Sequence, residues 1–199
     1  MRNILLVLFI FYSLDMIPED RIYKPNQKVL EEFNSIINDW KKEEIKKIES
    51  LKFASFLDDL SKRESSMNPK SVNTEGYIGE FQFGQAALKQ VGLEHITVEK
   101  FIENPNIFPK KLQRKAIKEL MKSNYSIIED LANKYIGKKI KGIKITESGL
   151  IAAMHLAGAG GVQKFLQTNG GHDPQDVYGT KLSDYLKKFN NHELNLTIL

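Results

Sequence analysis

The residues whose types and spacing could do chemistry lie between Arg63 and Gly84, in the stretch RESSMNPKSVNTEGYIGEFQFG. Its first acid, Glu64, ends an apolar stripe. Phe53, Leu57 and Leu60 precede it at steps of four, three and four, so all four side chains share one face of a helix. A carboxyl group on a core-facing stripe is partly withdrawn from water, and desolvation favours the protonated form that a general acid must hold near neutral pH. Beyond Glu64 come a turn with Pro69, a loop with Gly76 and Gly79, and Gln82 between Phe81 and Phe83. A glutamate at a helix end is ordinarily a solvated side chain, so a chemical role for Glu64 rests on its neighbours.

Those neighbours stand in a pattern. Glu64-Ser65, Pro69, Gly76-x-x-Gly79 and Gln82 succeed one another at the spacing of a known segment, with no insertion or deletion. The segment resembles the catalytic segment of the soluble lytic transglycosylases and goose-type lysozymes. A second stretch, AAMHLAGAGGV at 152–162, resembles the other signature of that family, an Ala-Tyr-Asn-Ala-Gly core with a small loop and a valine after it. Ala157, Gly158, Gly160 and Val162 keep that pattern. His155 stands where the family has tyrosine and Leu156 where it has asparagine, which marks a divergent member. His155 is then either a hydrogen-bonding partner of the acid or a core histidine.

The resemblance implies a mainly α, lysozyme-like single domain with a small irregular or β element beside the catalytic glutamate. It also implies a reaction. Protonated Glu64 donates to the glycosidic oxygen between N-acetylmuramic acid and N-acetylglucosamine. It then takes the proton of the muramyl 6-hydroxyl, which closes a 1,6-anhydro ring. Ser65 would orient the glutamate or the substrate, and Gln82 would bind the substrate or fix the loop. Gly76, Gly79 and Gly158 would let glycan approach the backbone. Tyr77, Tyr178, Phe81 and Phe83 are the aromatic residues available to stack on sugars. This chemistry uses no cofactor and no metal, and its partner is the glycan strand of peptidoglycan, with a cell-envelope machine as a further partner.

Other readings compete with it. Hydrolytic glycosidases generally need a second carboxylate, about 5–5.5 Å away for retention or about 6.5–9.5 Å for inversion. Glu75, Glu80 and Asp173 are the acids that a muramidase reading would bring to Glu64. A non-catalytic peptidoglycan-binding scaffold would keep the fold but has no need of a core-facing acid. A basic helical nucleic-acid binder lacks any recognisable motif.

The elements that must position these residues are helical. Val29, Phe33, Ile36, Ile37 and Trp40 recur at helical steps, which predicts an amphipathic helix over about 25–50, broken near Asn38-Asp39 and packing against the domain C-terminal to it. Trp40 belongs to that packing face or stacks on a sugar. A second helix runs from Leu51 to about Ser65 and ends before Asn68-Pro69. Short helices are expected over 85–91 and 97–104, and a long one after Pro109 to Tyr135. The basic piece GKKIKGIKIT reads as a loop or hairpin. Thr146 caps a helix from Glu147 to about Ala157, broken by GAGG and resumed from Val162. A last amphipathic helix covers 180–189.

Composition sets the outer bounds. A chain of 199 residues with 41% hydrophobic and 27% charged residues can fill the core of one domain. The absence of cysteine excludes a disulfide frame, a thiolate nucleophile and a cysteine metal site. The net charge of +4, spread over lysine pairs such as Lys41-Lys42 and Lys187-Lys188, suits a solvated surface or an anionic polymer. Residues 1–16 begin with one basic residue and an apolar run from Ile4 to Tyr12, too short for a comfortable membrane span. They read as a signal peptide or N-terminal anchor, which implies export to the periplasm or cell envelope. Residues 17–50 would form a helical extension and 51–199 the catalytic domain.

Overall fold

The computed structural model describes residues 26–194. The proposed signal peptide or anchor at 1–16 lies outside them. The described chain is mainly helical, with a single two-stranded antiparallel sheet among the described residues. None of these helices is long and apolar enough to cross a membrane.

The first helix, α1, runs unbroken over Gln27–Ser65. The sequence predicts two helices here, the first interrupted near Asn38-Asp39; the structure has one. Asn and Asp weaken a helix by less than about 1 kcal/mol each, and neither glycine nor proline occurs between Gln27 and Ser65 to break it. Packing divides the chain within this helix, into a unit ending at Ile45 and a unit beginning at Lys46. In the first unit Val29, Phe33, Ile36 and Trp40 all remain exposed.

The second unit holds the core. Phe53, Phe56, Leu57 and Leu60 of α1 are buried in it. Short helices α2 (Gln85–Gln90) and α3 (Val98–Glu103) and a 3-10 turn (Pro105–Ile107) lead to α4 (Lys110–Tyr135). The periodic positions Ala116, Ile117, Leu120, Met121, Tyr125 and Ile128 bury one stripe of α4. Strands β1 (Lys139–Ile140) and β2 (Ile143–Lys144) then form the hairpin, with Ile140 opposite Ile143. The Thr146 side chain accepts a 3.1 Å hydrogen bond from the Gly149 amide and so caps α5 (Glu147–Gln167).

Helix α5 is the central element. Five consecutive residues, Leu150 to Met154, are buried, which requires neighbours all round. It packs against both α4 and α6 (Leu182–Lys188). The Ser148 hydroxyl sits 2.7 Å from the Phe189 carbonyl oxygen and 2.9 Å from that of His192, which anchors the start of α5 to the end of α6. At Gly158 the chain leaves helical geometry, with φ 66° and ψ 172°, before the helix resumes. Only glycine adopts that conformation at little cost, so the GAGG break is local to one residue.

The segment between α1 and α2 is irregular, held by isolated bridges of Ile78 to Val72 and to Phe83. This irregular piece, and not the hairpin, is the element that lies beside Glu64.

Candidate active site

Glu64 projects from the last turn of α1 into a cleft of about 570 Å³. Five elements build the walls. The α1 end supplies Arg63 and Glu64, and the irregular segment supplies Asn73, Glu75, Tyr77 and Gln82. Helix α5 supplies His155 and Leu156, and a loop before α6 supplies Gln175 to Tyr178 and Thr180, with Tyr185 behind them on α6. A second cavity of about 690 Å³ continues past Glu75, Tyr77, Gln82 and His155, which line both, toward Phe83, Leu88 and Val98. The two together make a groove, a shape suited to an extended ligand.

Within the cleft Glu64 is held by one oxygen. The Tyr185 hydroxyl donates to Glu64 Oε1 at 2.5 Å, and His155 Nε2 lies 3.8 Å from the same atom. Among the described residues Oε2 makes no hydrogen bond, and no polar side-chain atom of theirs is sealed from solvent without a partner. Oε2 therefore keeps contact with solvent, and Glu64 lines the cleft. The side chain is 14% exposed, a carboxyl group mostly enclosed but reachable. Tyr185 is buried, and that burial, reinforced by the charge of Glu64 and their shared hydrogen bond, pushes its phenol well above the usual range. Tyr185 is thus a donor at any working pH.

The irregular segment is fixed by a buried polar cluster behind it. Glu80 is fully buried. Its carboxylate accepts from Ser61 at 2.9 Å and from Arg114 at 2.7 Å, and Arg114 also contacts Asp58. These two carboxylates hold the Arg114 guanidinium above its ordinary range, the hydrogen bond to Glu80 contributing most. Gln113, also fully buried, accepts from the Glu80 amide and donates to the Pro69 and Phe108 carbonyls at 2.8 and 2.6 Å. On the cleft side, Asn73 Oδ1 accepts from the Glu75 and Tyr77 amides at 3.0 and 2.9 Å, which turns those two residues toward the groove.

The structure brings Glu64, Tyr77, Gln82, His155 and Tyr178 together in one cleft, with Gly76 in the adjoining cavity. Gln82 takes a positive φ of 53° and its side-chain amide donates to the Gly79 carbonyl at 2.9 Å, so it also fixes the loop. Ser65, Gly79 and Gly158 do not line the groove. The Ser65 hydroxyl donates to the Glu80 carbonyl at 2.8 Å, bracing the loop against α1. Gly79 makes room for protein, because a Cβ there would lie 2.6 Å from Gln113 Oε1. Gly158 serves the helix break. Phe81 is a fully buried core residue, and Phe83, 1% exposed, touches only the second cavity.

Of the acids named for a second carboxylate, Glu80 is consumed by Arg114. Asp173 accepts from the Ser183 amide and hydroxyl outside the cleft. Glu75 lines it. Asp176 lines the cleft as well, but its Oδ1 accepts from the Tyr178 and Thr180 amides at 2.9 and 2.8 Å and shapes the loop. Among the described residues no group of three or more His, Asp or Glu side chains is arranged to hold a metal ion.

Tyr185, Asn73, Gln113 and Arg114 were not identified by sequence reasoning. Tyr185 occupies a position of the apolar stripe on α6, and its pairing with Glu64 spans 121 residues. Comparison with family models, with curated proteins and with solved structures gives no match for this chain.

Proposed function

We propose that this chain is a peptidoglycan lytic transglycosylase that cleaves the β-1,4 bond between N-acetylmuramic acid and N-acetylglucosamine and leaves a 1,6-anhydromuramyl end. One observation carries the reading: a largely enclosed glutamate lining an extended groove, with Oε1 held by a tyrosine donor and Oε2 without a hydrogen bond among the described residues. That is the geometry of a general acid aimed at a bridging oxygen. The Glu64–Gln82 pattern supports the substrate class. Export to the cell envelope, where the polymer lies, belongs to the same proposal, as does a glycan strand as the partner.

Glu75 supports a second reading. It is an exposed carboxylate on the wall of the same cleft and would make the enzyme a muramidase if it activated water. Digestion of purified peptidoglycan by wild type and Glu64→Gln, with mass spectrometry of the released muropeptides, separates the two. Anhydromuramyl products that vanish in the variant are expected. Reducing muramyl ends carrying solvent oxygen would move the assignment to the hydrolase, and no release by wild type would end both readings.

A further inference from the structure

His155 is a titratable group that the single-acid scheme leaves without work. It sits on α5 where the two cavities meet and lines both. Its side chain is 10% exposed, and among the described residues it makes no hydrogen bond. Its Nε2 faces Glu64 Oε1 at 3.8 Å. Among the described residues neither ring nitrogen is sealed from solvent without a partner. A packing histidine ordinarily has its ring nitrogens hydrogen-bonded. Imidazole is also the side chain best suited to take a proton near neutral pH.

We propose that His155 is the general base of the reaction, so that Glu64 and His155 divide the acid and base duties. The proposal rests on the transglycosylase reading. Glu64 gives its proton to the glycosidic oxygen as the bond from that oxygen to the muramyl anomeric carbon breaks, the bonding pair leaving with the oxygen. The muramyl 6-oxygen bonds to the anomeric carbon and its proton passes to His155. The imidazolium then returns this proton to the Glu64 carboxylate. Closing the 3.8 Å gap by about 1 Å brings the pair within hydrogen-bond reach. The cycle balances without water or any co-reactant, and the pair ends with the one proton it began with.

The other titratable groups of the groove are less suited to this task. Tyr185 is held protonated by burial and by Glu64. Asp176 is occupied by two backbone amides. Arg63 donates to Thr180 and stays a cation. Tyr77 and Tyr178 are exposed phenols, and Glu75 and Glu99 are exposed carboxylates on the walls, Glu99 in the second cavity only.

A shared proton predicts a bell-shaped pH dependence of kcat that belongs to the pair. In His155→Gln the pair no longer exists, and the bell shape is lost with it. The expected loss in kcat is about 100-fold or more, with KM little changed. His155→Tyr, which restores a hydrogen-bond donor but not a base, is expected to remain equally impaired. Circular dichroism and melting temperature establish that each variant is folded.

A His155→Gln enzyme with wild-type kcat, or a His155→Tyr enzyme with wild-type rate and profile, overturns the proposal. So does a wild-type profile with one descending limb, a result that needs no variant. Anhydro products from wild type with either outcome leave the transglycosylase reading standing and refute only the base. Wild type that releases no anhydro product overturns the reading and the base together.

Discussion

At the scale of single residues, the site depends on how one carboxyl group is oriented. Tyr185 fixes Glu64 Oε1 and leaves the other oxygen without a hydrogen bond among the described residues. Tyr185→Phe removes that donor and keeps the ring, which packs on Phe189 at 5.7 Å between centroids. We expect kcat on peptidoglycan to fall about 10- to 100-fold, the value of one hydrogen bond to a charged group. The melting temperature should move little, because the buried ring stays. Equal rates for the variant and wild type would show that Tyr185 is a packing residue. The sequence made Glu64 legible because its helix face and its neighbours are local. Tyr185 was not legible, since an aromatic at core spacing reads as core and its hydroxyl partner lies in another part of the chain.

At the scale of elements, the irregular segment keeps its shape through side chains from its neighbours. The paired backbone bonds of Ile78 and Phe83 are few, so Glu80, Gln113 and Arg114 do most of the holding. Arg114→Met leaves a fully buried carboxylate with Ser61 and a 3.6 Å contact to Lys110. Loss of one partner from a buried ion pair costs about 3–5 kcal/mol. Lys110 is part-exposed and can swing in, so the lower end is expected in chemical denaturation, and a loss below about 1 kcal/mol would contradict the role. Gly79→Ala tests the same joint from the other side. It combines φ +80° with a Cβ 2.6 Å from Gln113 Oε1, and we expect a destabilisation of about 1–3 kcal/mol for the strain alone. Helix existence and order were legible from apolar periodicity, and the Gly158 break from its glycines. The continuity of α1 was not, because Asn38-Asp39 resembles a stop signal while costing too little to act as one. The Glu80 cluster was also hidden, since a glutamate in a glycine loop carries no local mark of burial.

At the scale of the whole molecule, the groove and the core belong to one part of the chain. Every residue lining either cavity lies after Ile45, and so does every buried hydrophobic residue, the first being Phe53. Between Asn26 and Lys52 no described side chain is fully buried, while Val29, Leu30, Phe33, Ile36 and Trp40 are between 41% and 66% exposed. Stability tracks apolar burial, so this helical stretch adds little to the unfolding free energy of the second unit. A chain beginning at Lys46 keeps twenty residues of α1, including its four buried core positions and Glu64. We expect that fragment to fold cooperatively, with a melting temperature within a few degrees of the longer chain's and with kcat on peptidoglycan unchanged. It should also associate less, because it loses a contiguous apolar stripe. Calorimetry, muropeptide release and sedimentation of the two proteins side by side provide the check. A fragment that melts broadly, or that is folded but inactive, would show that residues before Lys46 complete the catalytic unit. A fragment that keeps activity and melting temperature assigns chemistry to the second unit, and equal sedimentation of the two proteins would show that the exposed stripe does not drive association.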